Sequence, residues 1–165
     1  MVSGHTPRVA YLVGAGAELI FYFANADECT LKRISSIGLP ENIHYAWQSA
    51  DGAFVYVATT NGGPALKGAS HHLVALRIDW TTGEMSFHGP QVELEARPIH
   101  TTLDATGRYL LTTTKPLLII HAINEDGTIG NKVGTSSGID LGAYPHQSRF
   151  SPTNPWNSNL HTFRR

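Results

Sequence analysis

The stretch RPIHTTLDATGRYLLTTT, residues 97–114, carries the pattern that decides the fold of this chain of 165 residues. Its β-branched, apolar and aromatic residues form two short runs, and a turn around Thr106 and Gly107 separates them. Runs of this kind, bounded by turn residues, are typical of paired β-strands. No stretch of about a dozen residues elsewhere keeps helical spacing without glycine, proline or β-branched runs. The sequence therefore predicts an all-β fold.

The same pattern returns twice more along the chain. Residues 43–60 (IHYAWQSADGAFVYVATT) and 144–154 (YPHQSRFSPTN) also place a histidine a few residues before an apolar position and a turn. Hairpin turns that close one strand and open another alternate with these segments, at 77–85 and 121–129 among others. A repeat of about 40–50 residues with four strands in each unit is typical of a β-propeller blade.

We therefore expect a partial β-propeller of about three to four blades, each a four-stranded antiparallel sheet. The loop 61–71 (NGGPALKGASH) is interpreted as an insertion between the first and second strands of a blade. The hairpins at Gly83 and Gly127 need the positive φ that glycine supplies. The predicted units are blades at roughly 8–50, 51–105 and 106–154, and an irregular tail at 155–165.

Composition excludes several classes of function. The formal net charge is −1, so neither a nucleic acid nor an anionic membrane is an expected partner. The apolar stretch 9–26 contains Glu18 and two turn-forming glycines, which disfavours an export signal or a membrane span. Cys29 is the single cysteine, which indicates a reducing compartment such as the cytoplasm. We expect Cys29 to be a small residue that is buried or half-buried.

Three histidines occupy the same place in successive repeats. The first strand of a propeller blade lines the central channel, so His44, His100 and His146 are expected to converge near the channel mouth, together with Arg97 and Arg149. Positions that only pack in a repeat are normally apolar, so a recurring histidine favours function. Each of His44 and His100 has a second interpretation, a structural hydrogen bond to the backbone of the neighbouring blade.

Four segments together resemble a known family. They are HHLVALRIDWTTGEM (71–85), RPIHTTLDATGRYLL (97–111), INEDGTIG (123–130) and YPHQSRFSPTN (144–154). In order and spacing they are similar to the lactonases of seven-bladed β-propeller fold, of the 6-phosphogluconolactonase type, across residues 8–154. The resemblance implies a carboxylic-ester hydrolase that converts 6-phosphogluconolactone to 6-phosphogluconate in the pentose phosphate pathway, without a cofactor.

The residues at hand suit lactone hydrolysis. His146 is the candidate general base, because imidazole can take a proton from water. Arg149 or Arg97 is the candidate anion-binding group, and whether each serves an oxyanion or a phosphate stays open. His100 is a further catalytic contact, and the expected substrate-binding residues are Arg97, Gln147 and His44.

The sequence lacks the motifs that are typical of nucleotide, serine-nucleophile and metal sites. The stretch GAGAEL (14–19) lacks the glycine spacing of a phosphate loop, and no serine elbow, cysteine-pair zinc site or acidic calcium loop is present. His71 and His72 are adjacent, and adjacent residues of a strand point to opposite faces, so a shared metal ion is not expected. We expect no metal and no nucleotide cofactor.

The length of the chain conflicts with a closed ring. Seven blades need about 300 residues or more, so the chain would supply an N-terminal half, as in a truncated or frame-shifted gene. An open half exposes strand edges and blade faces, so self-association through those faces is expected. Three alternatives stay open: an inactive fragment, a propeller that serves only as a protein-interaction module, and a muconate-lactonising type of propeller enzyme.

Overall fold

A computed structural model describes residues 9–64, 66–115, 117–138, 140–142 and 145–150. Within these residues all regular structure is β-strand, which confirms the predicted all-β class. The strands are β1 (Val9–Ala15), β2 (Glu18–Asn25), β3 (Thr30–Gly38), β4 (Asn42–Gln48), β5 (Phe54–Thr60), β6 (His71–Ile78), β7 (Met85–Phe87), β8 (Val92–Glu93), β9 (Pro98–Leu103), β10 (Tyr109–Thr114), β11 (Leu118–Ile123) and β12 (Ile129–Thr135). The predicted tail at 155–165 lies outside the described residues.

The strands form three antiparallel sheets, as expected of a partial propeller. The first sheet has the order β1-β2-β3, the second has the order β4-β5-β6-β7 with β8 also paired to β6, and the third has the order β12-β11-β10-β9. The prediction of four strands in every blade holds for the third sheet only. In the described residues the first sheet has three strands and the second has five.

The second and third sheets begin earlier than the predicted second and third blades. The turn at Asp51 and Gly52 joins β4 to β5, and these two strands pair with each other in the second sheet. The turn at Thr106 and Gly107 joins β9 to β10 in the third sheet in the same way. Blade boundaries near residues 50 and 105 would therefore separate hydrogen-bonded neighbours. The loop that follows Thr60 joins β5 to β6, which are the second and third strands of their sheet.

Two apolar clusters hold the sheets against each other. One cluster joins the first and second sheets through buried residues such as Phe21, Val57 and Leu76. The other joins the second and third sheets through residues such as Tyr56 and Leu110. Burial of each large side chain contributes about 1.5–3 kcal/mol. Because the sheets pack in this way, β4 and β9, the first strands of the second and third sheets, lie side by side.

Gly127 shows why one hairpin requires glycine. Its φ is +88°, and a Cβ at this position would collide with the ring of Phe54. The hydroxyl of Tyr56 donates a hydrogen bond to the Gly127 carbonyl at 3.0 Å, which ties the hairpin of the third sheet to the second. Gly83 also has a positive φ, of +79°, as the sequence predicts for this hairpin.

The first sheet corrects one expectation and adds one feature. Cys29 is exposed rather than buried, because it lies in the turn between β2 and β3 with a φ of +50°. Along β1, three apolar side chains at alternating positions are exposed, and we call them the β1 stripe: Val9, Tyr11 and Val13. The described ranges contain no helix with the length and apolar character needed to cross a membrane.

Candidate functional site

The predicted site residues come from β4, from β9 and from the segment 145–150. His44 lies on β4 and His100 on β9, so the packing of these strands brings the two histidines to one end of the sheets. The segment 145–150 follows the third sheet. Its Ser148 is fully buried, and the hydroxyl groups of Ser148 and Thr113 lie 2.6 Å apart. This buried bond anchors the segment to the end of β10.

His100 is the buried centre of the site. It is 2% exposed, and its ring centroid lies 4.2 Å from that of Tyr45 and 6.3 Å from that of Trp47. A side-chain amide atom of Gln147 lies 3.3 Å from its Nε2. Burial, followed by the charges of Arg149 and His146, lowers the pKa of His100 to about 4. The imidazole is therefore neutral at neutral pH.

Arg149 is exposed but held on two sides. With the amide oxygen of Gln147 facing the guanidinium, that oxygen accepts hydrogen bonds from Nε and Nη2 of Arg149, both at 2.9 Å. The Arg149 Cζ lies 5.8 Å from the ring centroid of Trp47, a cation–π arrangement. These two contacts restrain the side chain and leave Nη1 for a ligand. Gln147 thus links the neutral ring of His100 to the cation.

Arg97 has a different environment. It is half-buried, and its Nη2 lies 3.5 Å from Nε2 of His44. Its Nε is buried without a hydrogen-bond partner, and no carboxylate of the described residues forms an ion pair with it. Its Cδ lies against Gly62, where an added Cβ would come within 3.0 Å of it. The loop after β5 therefore covers the stem of this arginine.

His146 is exposed, and its charge acts on the histidines of both arginine environments. Burial lowers the pKa of His44, and Arg97 and then His146 lower it further. The charge of His146 contributes to lowering the pKa of His100 as well. The contacts join five of the predicted residues into two groups, His44 with Arg97, and His100 with Gln147 and Arg149. The charge of His146 acts on one histidine of each group.

Sequence reasoning missed several neighbours of these residues. Tyr45 and Trp47 contact His100, and their alternate positions on one face of β4 are the signal that could have identified them. His71 is buried, and its Nδ1 lies 2.7 Å from the hydroxyl of Thr60. Burial, followed by His72, lowers the pKa of His71, and Arg97 also contributes. His71 therefore belongs to the Arg97 side of the site.

The charge of the site favours an anion. Its two guanidinium groups face imidazoles of lowered pKa, and among the described residues no ion pair neutralises either arginine. In the part of the chain that the structure describes, no group of three or more His, Cys, Asp or Glu residues is arranged to hold a metal ion. Planar guanidinium groups suit carboxylate, phosphate or an oxyanion.

Comparison with known proteins gives a family and a set of similar folds. The sequence matches the family described as Lactonase, 7-bladed beta-propeller, over residues 8–157. No curated protein matches the sequence.

Solved structures share the fold at low identity. One is a putative 6-phosphogluconolactonase from Bacteroides fragilis, with a TM-score of 0.67 and 16% identity, covering 97% of this chain and 42% of that chain. Another putative 6-phosphogluconolactonase, from Bacteroides uniformis, has a TM-score of 0.64 and 21% identity, covering 93% and 41%. The periplasmic gluconolactonase PpgL of Pseudomonas aeruginosa has a TM-score of 0.63 and 17% identity, covering 79% and 36%. The chain thus spans less than half the length of these proteins.

Proposed function

The chain belongs to the seven-bladed β-propeller lactonases, and from that premise we propose that it hydrolyses a sugar lactone, with 6-phosphogluconolactone as substrate and 6-phosphogluconate as product. The observation that carries the proposal is a restrained Arg149 joined through Gln147 to a buried, neutral His100, with the exposed His146 near enough to lower the pKa of His100. The family match and the names of two structural neighbours support the choice of substrate. Because those neighbours are more than twice as long as this chain, both activity and substrate are proposals for it.

The first step is the addition of water to the lactone carbonyl. His146 accepts a proton from a water molecule while the water oxygen forms a bond to the carbonyl carbon. The carbonyl π electrons move to the oxygen, and Arg149 donates hydrogen bonds to the resulting oxyanion. Restraint of the guanidinium by Gln147 and Trp47 reduces the reorganisation that this step requires.

The second step opens the ring. The carbonyl re-forms, the bond between the carbonyl carbon and the ring oxygen breaks, and protonated His146 gives its proton to the leaving oxygen. The product is an open-chain acid, which ionises and releases a proton. His100 stays neutral through both steps, because burial and Arg149 disfavour its charged form, and it supports the Gln147 amide that holds Arg149.

The proposal extends to the pathway and the compartment. Hydrolysis of 6-phosphogluconolactone would place the chain in the oxidative pentose phosphate pathway. A cytoplasmic location rests on the single cysteine, as in the sequence prediction.

The proposal is tested by proton release from 6-phosphogluconolactone, with the spontaneous rate subtracted. His146→Ala should reduce turnover at least ~100-fold, the usual scale for loss of a general base. His88→Ala is the control, because His88 follows β7 and packs on Phe54, with ring centroids 4.6 Å apart. An unchanged rate in His146→Ala would remove that residue from the mechanism.

A second lactone and a binding assay separate the alternatives. Turnover of a carboxylated muconolactone in place of the sugar lactone would favour a muconate-lactonising type of enzyme. No turnover of any lactone by the unmodified chain would refute the proposed function, and capture of a specific partner protein would then favour an interaction module.

A further inference from the structure

We propose that Arg97, with His44 and His71 beside it, forms a separate subsite for an anionic group of the substrate, remote from the carbonyl that Arg149 serves. The word substrate here rests on the proposed function, whereas the subsite itself rests on the contacts of Arg97. The ligand class is a sugar acid or lactone with a phosphate or carboxylate at the end opposite its lactone carbonyl.

The first argument is that Arg97 has no counter-charge. It is half-buried, yet no carboxylate of the described residues lies within ion-pair distance of it. Glu41 is close enough to raise the pKa of His71, but it forms no ion pair with Arg97. A cation that is partly removed from water without a partner is unfavourable. An anionic ligand would remove that cost.

The second argument is that the neighbouring imidazoles are neutral and leave the charge of Arg97 uncompensated. Burial is the first cause of the lowered pKa of both His44 and His71, and Arg97 contributes to both. Each ring is therefore neutral near pH 7, and Nε2 of His44, which faces Nη2 of Arg97, is the acceptor of that contact because a guanidinium only donates. A guanidinium whose charge no neighbour compensates suits a carboxylate or a phosphate.

The third argument is that the protein satisfies the hydrogen bonds of Arg149 and of Arg97 to different extents. Gln147 accepts hydrogen bonds from Nε and Nη2 of Arg149, so the protein itself satisfies much of that guanidinium. Among the residues that the structure describes, Arg97 has only the 3.5 Å hydrogen-bond contact with His44, and its Nε is buried at the loop without a partner. A ligand would meet the terminal nitrogens of Arg97. The restrained Arg149 is therefore assigned to the transient oxyanion, and Arg97 is assigned to a group of the ligand that is always anionic.

The fourth argument is the order of groups across the site. His44, on the Arg97 side, lies on β4, and His100, on the Arg149 side, lies on the adjacent β9. The charge of His146 lowers the pKa of both. A ligand that spans the site would place its carbonyl near Arg149, its reacting carbon near His146, and its far end near Arg97. A lactone with a phosphate on its terminal carbon has this distribution of charge.

The test is calorimetric binding of open-chain acids, which needs no turnover. The probes are 6-phosphogluconate, gluconate and glucarate, which carry a terminal phosphate, hydroxyl and carboxylate. The unmodified chain should bind 6-phosphogluconate at least about tenfold more tightly than gluconate, the scale of one hydrogen bond to a charged group. Glucarate shows whether a terminal carboxylate serves as well as a phosphate.

The variants assign that preference to one arginine. Arg97→Gln should reduce the ratio of the two affinities to less than about threefold, and Arg97→Lys, which keeps the charge, should give an intermediate ratio. Arg149→Gln should weaken both probes and keep the ratio. Arg77→Gln, at an exposed position of β6, is the matched control and should change nothing.

Three outcomes overturn the subsite: no preference in the unmodified chain, an unchanged ratio in Arg97→Gln, or loss of the ratio in Arg149→Gln alone. Far-ultraviolet circular dichroism and thermal unfolding without ligand establish that each variant is folded, and Arg97→Lys decides the matter if Arg97→Gln is not. A preference that depends on Arg97 in a chain without lactonase activity refutes the proposed function and supports the subsite. Turnover of the lactone by a chain that lacks this preference supports the proposed function and refutes the subsite.

Discussion

Protonation of His100 should destabilise the fold as the pH falls from 6.5 to about 4. In the unfolded chain this imidazole has its ordinary pKa of 6.5, whereas burial, Arg149 and His146 lower the pKa to about 4 in the folded chain. The unfolded chain therefore binds the proton more readily in this interval. The stability that depends on a neutral His100 is fully present above the unfolded pKa and is lost as the pH falls toward the folded pKa.

The expected magnitude is large for one side chain. At about 1.4 kcal/mol for each pH unit, the full interval corresponds to an upper limit of about 3.5 kcal/mol in the free energy of unfolding. The stability of a whole domain is about 5–15 kcal/mol. His44, His71 and His121 also have pKa values lowered mainly by burial, so they contribute in the same direction. A variant is needed to isolate the share of His100.

Urea unfolding followed by tryptophan fluorescence at pH 7.5 and pH 4.5 provides the measurement. Between these two pH values, the unmodified chain should lose about 2–3 kcal/mol more unfolding free energy than His100→Gln. The cost of the substitution itself cancels, because it applies at both pH values. Tyr45→Phe, which keeps a ring against His100, should retain the full pH dependence. The reasoning is refuted if His100→Gln loses as much stability as the unmodified chain.

Two further predictions concern the anchored segment and the β1 stripe. Ser148→Ala leaves the buried Thr113 hydroxyl without its partner and should lower the unfolding free energy by about 1–3 kcal/mol in urea titrations; a change below about 0.5 kcal/mol would contradict the anchoring role. Tyr11, which is 50% exposed, should support self-association, so sedimentation velocity should show concentration-dependent oligomers that Tyr11→Lys reduces; a monodisperse monomer of the unmodified chain would refute this.

The strands that the sequence predicted are those with a buried face. β5 and β10 carry continuous apolar and β-branched runs because they lie inside their sheets. β3 and β12 lie at sheet edges and are largely exposed, so their sequences are polar, and only the hairpin turn before each of them indicated a strand. The predicted blade boundaries fall at turns within a sheet. Turns within a sheet and connections between sheets contain the same residue types, so the sequence does not distinguish them.

The candidate site also has features that the sequence could predict and features that it could not. The approach of His44 and His100 was predictable because each stands at one phase of the repeat and β4 packs against β9 in the fold. The difference between the two arginines was not predictable, because it depends on which residues contact each side chain. Arg149 contacts Gln147, which is near it in the sequence, whereas Arg97 contacts Gly62, which is far from it in the sequence. Aromatic residues such as Trp47 have the pattern of core residues, and only the structure separates a ring that packs from one that also supports a cation.

The exposure of the two arginines has a consequence for how binding and chemistry are divided. His146 and Arg149 are exposed, so water screens their interaction with a developing oxyanion. Arg97 is half-buried and its stem is covered by the loop at Gly62, so the same charge acts there in a lower effective dielectric. Binding of the anionic end is therefore expected to supply most of the affinity. The contacts that position these groups all lie within the second and third sheets, the loop after β5 and the segment 145–150, so their arrangement follows from local packing of consecutive strands.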